Sequence, residues 1–162
     1  MNAARKLLVL GGILLAAFGM LYGLHYALLV EHQTLDTMGG SLSAAFVSAA
    51  QAQPTEAHAA VLRYASTKYV YVRQVDVHSH WVGLAMILIV MGLVFNRTGF
   101  RDPTALLIAV AMLTGAVVFP LGVLLQSAYP GAEFASILAI AGSGLFIASM
   151  AAAAAGFIRQ GG

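Results

Sequence analysis

From Leu7 to Val30 the chain runs for 24 residues without a single Asp, Glu, Lys or Arg. At 1.5 Å of rise per residue a helix of that length reaches about 36 Å, more than the roughly 30 Å hydrocarbon core of a bilayer. In lipid a lone segment can satisfy its own backbone polar groups only as a helix. Arg5-Lys6 ahead of the run imitates the basic head of a secretory signal, but the apolar stretch outruns the about 15-residue limit of a signal core. An uncleaved first span over residues 7–30 is expected.

The rest of the chain agrees. Hydrophobic residues make up 60% of the 162 positions and charged residues 9%, against about 25% charged in soluble domains. The eight basic residues give a net charge of only +2 and sit mostly at the ends of apolar runs, a topology signal and not a nucleic-acid footprint. The absence of cysteine excludes disulfides, thiolate metal sites and covalent haem attachment through a C-x-x-C-H motif. Any metal or haem must use His, Met, Tyr or carboxylate.

Three more spans follow. The apolar run 81–95 is too short to cross alone, so the second span must start near Val75 and take in Asp76, His78 and His80, covering 75–96. Asp102-Pro103 supplies an N-cap and first-turn proline for a third span over 104–126, with Pro120 as an expected kink. A fourth span over 132–158 opens on Glu133, whose carboxylate suits the helix dipole. Between the first two spans, residues 31–74 contain the breakers Gly39-Gly40 and Pro54. Short amphipathic helices at 41–52 and 55–64 are expected there, lying as a cap on the membrane surface. The fold class is therefore all-α: one transmembrane domain over 1–162, a four-helix bundle with a helical extracytoplasmic cap. Gly12, Ala16, Gly19 and Gly23 form a small-residue stripe suited to close helix approach, and hence also to self-association or docking.

Arg5, Lys6, Arg97, Arg101 and Arg159 fall on one side of these spans, which makes both termini cytoplasmic and the long segment periplasmic in a bacterial inner membrane. Under this topology all five histidines share the outer mouth. His25 lies one turn inside the first span, with His32 just beyond it on the same helical face. His58 sits in the cap, where an interfacial anchor is the ordinary role. His78 and His80 open the second span, pointing about 200° apart at 100° per residue, so one cofactor can take only one of them. His80 is favoured as the inward ligand, because Gly83 clears space for a flat ring and Asp76, four residues earlier, can hold the second imidazole nitrogen.

Two chemistries fit. Haem b between two neutral imidazoles, His80 facing His25 with His78 and His32 as competitors, needs such ligands beside an apolar slot; Arg73 is placed to meet a propionate. A non-haem iron, copper or zinc ion at the mouth could draw on His25, His32, His78 and His80 with Glu31, Asp36 and His58. The glycine stripes are read as packing and Met20, Met86 and Met112 as core. No nucleophile–base pair or phosphate loop is present.

The stretch Arg73-Gln-Val-Asp-Val-His78-Ser-His80-Trp-Val-Gly-Leu-Ala-Met, running into Gly92-Leu-Val-Phe, resembles the second-helix region of the haem-copper oxidase and nitric oxide reductase superfamily. There an H-x-H or H-x-N pair opens the helix ahead of an apolar run with Trp and Gly. The stretch is also similar to small membrane proteins that look like cut-down relatives of that catalytic subunit. The resemblance implies that His78 or His80 is an axial ligand of haem b. The chain has far fewer spans than the catalytic subunit, lacks the later helix that carries the second low-spin ligand, and has no histidine trio for copper or non-haem iron. Oxygen or nitric oxide reduction by this chain alone is therefore not expected. The expected role is a haem b-binding electron-transfer or redox-associated subunit, set in the lipid bilayer and working within a larger respiratory complex or a homo-oligomer. The alternatives are a non-haem metal site in an enzyme or metallochaperone, and a cofactor-free accessory or assembly subunit.

Overall fold

The computed structural model describes residues 2–161, with side chains through residue 159. The described residues are all-helical, without strands: α1 (Ala3–Leu29), α2 (Glu31–Ala50), α3 (Pro54–Val94), a 3-10 turn (Phe95–Thr98), α4 (Asp102–Ala128) and α5 (Glu133–Gly161). Four of the helices, α1, α3, α4 and α5, are long and apolar enough to cross a membrane. Local chemistry sets their ends. The Asn2 side chain caps α1 by accepting from the Arg5 amide at 3.0 Å. Pro54 and Pro103 occupy the first turns of α3 and α4, where a missing N–H costs nothing. Gly99 (φ 68°) and Gly131 (φ 83°) take the left-handed corners before α4 and α5. Pro120 lies within α4, which continues through it.

The dominant feature is one antiparallel helical hairpin. With 41 residues, α3 is about 60 Å long, twice the apolar thickness. Its buried and half-buried residues recur alternately three and four apart, from Ala57 and Ala60 through Gln74, His78 and Trp81 to Leu88 and Gly92. That is a heptad seam. One half of α3 packs on α1, whose seam holds Leu8, Gly12, Leu15, Gly19, Tyr22 and Tyr26; the other half packs on α2, through Glu31, Thr34, Met38, Ser41, Ala45 and Ser48. Between Tyr26 and Glu31 the spacing is five, where the three-four alternation asks for three. At Val30 the helix breaks (φ −124°, ψ −42°) and resumes in a new phase.

Two expectations are corrected here. Residues 31–74 do not form two short helices: α2 runs unbroken through Gly39-Gly40, and 54–74 is the first half of α3. Pairing along the seam offsets the roughly 1 kcal/mol that each glycine costs a helix. The second apolar helix likewise starts at Pro54 and not near Val75. The result is a two-helix hairpin extending about 30 Å past the apolar zone.

At the membrane level α1, α3 and α4 pack on one another, and α5 flanks α4 and the 3-10 turn. Glycines bring the backbones together. A methyl group on Gly12 would stand 2.9 Å from the Ala85 carbonyl oxygen, and one on Gly92 3.0 Å from the Val9 nitrogen. Between α4 and α5, a methyl on Gly115 would stand 2.7 Å from the Phe146 nitrogen. The small-residue stripe of α1 is thus occupied within the chain: Gly19 and Gly23 lie against Trp81, Val82 and His78.

Candidate functional site

Both histidines of the pair sit on α3, two residues apart, and the heptad sends them to different neighbours. His78 is a seam residue. Its ring lies in the notch left by Gly23, and its Nδ1 is 2.8 Å from the Gly19 carbonyl oxygen. His80 turns to α4, where its ring meets Phe119 edge-on with centroids 4.7 Å apart. Its Nδ1 is 2.6 Å from the Asp76 backbone carbonyl. A carbonyl oxygen only accepts, so each Nδ1 is the donor in its bond, which in the neutral ring leaves Nε2 as the acceptor nitrogen. The expected partner of His80 on Asp76 was the carboxylate; the backbone of the same residue takes that place, one helical turn below.

Gly83, one turn beyond His80, is exposed, and an added methyl would meet nothing within 4 Å. Arg73 and Asp76 lie on the neighbouring face of α3, in a shallow groove of about 680 Å³ that also takes in Tyr64, Lys68 and Tyr69. The Arg73 guanidinium lies 5.2 Å from the centre of the Tyr69 ring.

Beside His78 a polar chain crosses three helices. The Tyr22 hydroxyl donates to Gln74 Oε1, Gln74 Nε2 donates to Ser127 Oγ at 3.0 Å, and Ser127 donates to the Leu124 carbonyl at 2.7 Å. Tyr22 and Phe18 also stand edge-on to Trp81, centroids 5.4 and 4.9 Å away. Trp81 Nε1 and the Tyr26 hydroxyl are buried without a partner among the described residues. Sequence reasoning passed over Gln74. Its signal was there: a glutamine at a heptad position, four residues before His78, must be satisfied across the seam.

The remaining candidates are dispersed. His25 is exposed on α1 and makes neither a hydrogen bond nor a ring contact with His78 or His80. His32 pairs with Asp36 at 3.6 Å on the exposed side of α2. Glu31 instead accepts from the Tyr71 hydroxyl at 3.1 Å, and His58 is exposed near the tip of the hairpin. Among the described residues no group of three or more His, Asp or Glu side chains converges as a metal site would require.

For haem, the fit is one-sided. His80 offers an imidazole held through Nδ1 by a backbone carbonyl, the arrangement that an axial ligand would need. The α1–α3 seam, closed by glycine contacts, has no slot for a porphyrin, whereas the open strip at Gly83 does not obstruct a flat ring. Compared with protein-family models, curated proteins and solved structures, the chain matches none.

Proposed function

We propose that this chain is a haem b-binding membrane subunit for electron transfer, with His80 as axial ligand and the opposite ligand supplied by a neighbouring protein or a second copy. One observation carries the reading: His80 is oriented by its own helix, Nδ1 to the Asp76 carbonyl at 2.6 Å, on a stretch of α3 that also presents Arg73 and open Gly83. In this scheme Arg73 meets a propionate, and His78 stays in the α1 notch as a structural residue. His25 and His32 are the remaining ligand candidates, on α1 and α2. Haem b would supply one-electron chemistry; the chain orients the imidazole and keeps that side of α3 clear. Arg5, Lys6, Arg97, Arg101 and Arg159 lie near the ends of the spanning helices remote from the hairpin. By the positive-inside rule this distribution favours cytoplasmic termini and an extracytoplasmic hairpin; the bacterial inner membrane is part of the proposal.

The optical spectrum of the detergent-solubilised protein, before and after dithionite, tests the reading. A reduced haem b α-band is expected, lost in His80→Ala and retained in His25→Ala or His78→Ala if those rings are not ligands. A colourless protein overturns it; stoichiometric metal in that protein would point to a non-haem site. A metal-free protein would point to the accessory-subunit reading, which the projecting hairpin favours in its own right.

A further inference from the structure

The turn between α3 and α4 is docked on the end of α5. Gly156 allows the approach: a methyl there would stand 2.6 Å from the Thr98 carbonyl oxygen and 2.6 Å from the Phe100 ring. The contact draws together two arginines from different helices, Arg101 at the start of α4 and Arg159 in the last turn of α5. Both line one cavity of about 510 Å³, with Thr98, Gly99, Phe100 and Thr104. No described carboxylate lines it. Asp102, the acid next in sequence, lines a different cavity beside Asn2, Ala3 and Ala4. Among the described residues the one ion pair is His32–Asp36, on the hairpin at the other end of the molecule, so neither guanidinium is neutralised by a described Asp or Glu.

We infer that this cavity binds the phosphate of an anionic membrane lipid. Two guanidinium groups on one cavity suit a phosphodiester, because each planar fork can donate paired N–H bonds to its oxygens. With no acid there to receive an ammonium or choline group, the site discriminates against a zwitterionic headgroup. Its position selects a lipid over free phosphate. Both arginines are exposed at the ends of spanning helices, the depth at which headgroups lie. One turn deeper, Leu107 continues the Thr104 face of α4 and Ala155 continues the Arg159 face of α5; both are exposed, so an acyl chain has an apolar surface to follow.

The full-length chain in a neutral maltoside detergent is titrated with dioleoyl phosphatidylglycerol, and the lipids retained per chain are counted by native mass spectrometry. One tightly held phosphatidylglycerol is expected at concentrations where dioleoyl phosphatidylcholine is not retained. Arg101→Gln and Arg159→Gln should each weaken that binding about ten-fold, since each removes a charge-assisted contact. Arg97→Gln deletes the same charge from the neighbouring 3-10 turn without touching the cavity, and should change binding by less than about two-fold. All three side chains are exposed, so the variants keep the fold, which circular dichroism verifies. Inorganic phosphate in about ten-fold molar excess should leave the lipid in place, as it gains nothing from the apolar surface below the arginines. Equal retention of phosphatidylcholine, an equal loss in Arg97→Gln, or displacement by inorganic phosphate would each overturn the inference, the last by making free phosphate the ligand. None of these readouts depends on haem content, so the inference stands or falls apart from the proposed function.

Discussion

The His78 imidazole occupies the space that a side chain at Gly23 would fill, and it is held there by the Gly19 carbonyl 2.8 Å from Nδ1. Glycine and histidine thus fix each other across the α1–α3 seam. A methyl at position 23 would stand 2.8 Å from His78 Cγ, too close for the ring to remain. Gly23→Ala should therefore displace His78 and lower stability by about 1–3 kcal/mol, read from denaturant titration in detergent. The double variant Gly23→Ala/His78→Ala should recover part of that loss, since the clash is gone.

Gln74 bridges α1 and α4, accepting from Tyr22 and donating to Ser127. Replacing it leaves a half-buried tyrosine hydroxyl without its acceptor. Gln74→Leu should cost about 1–3 kcal/mol. Tyr22→Phe in the Gln74→Leu background should cost much less than Tyr22→Phe alone. A double-mutant cycle that closes with no coupling energy would show that the three-helix chain does not hold the bundle.

The spans were legible because long uncharged runs admit little else, and the divergence of His78 and His80 followed from 100° per residue. The hairpin was not legible. Its seam residues, Ala57, Ala60, Tyr64, Thr67, Tyr71 and Gln74 on α3, keep a perfect three-four spacing, but they are too small or too polar to register as an apolar face. Gly39-Gly40 pointed to a break that long-range pairing overrides. The second nitrogen of His80 was sought on the Asp76 carboxylate because a side chain is visible in a sequence, whereas the carbonyl it uses belongs to every residue. The role of Gly19 and Gly23 as packing was read correctly from the small-residue spacing. Which helix they packed on was set by the heptad register of α3.

Gly142 brings α5 against α4 so closely that a methyl would stand 2.8 Å from the Phe119 Cα and 2.9 Å from the Val118 carbonyl carbon. These are backbone atoms, which no rotamer change can move aside. Because α5 is held mainly by α4 and the 3-10 turn, Gly142→Ala should loosen α5 selectively. Proteolysis in detergent should cut the 129–132 loop faster in this variant, while the α1–α3 pair keeps its amide protection.

Gly39 and Gly40 pose the opposite case. Both lie inside α2, both are exposed, and an added methyl at either meets nothing within 4 Å. Neither has a positive φ. Each therefore carries the unfolded-state entropy of glycine without any packing advantage. Alanine at each position should stabilise α2 by about 0.5–1 kcal/mol, through propensity alone. Amide exchange along residues 35–45 is the direct measure: protection should rise in Gly39→Ala/Gly40→Ala and stay unchanged in α5. A loss of protection would mean that the hairpin needs the bare backbone at this level, as it would if another chain approached α2 there.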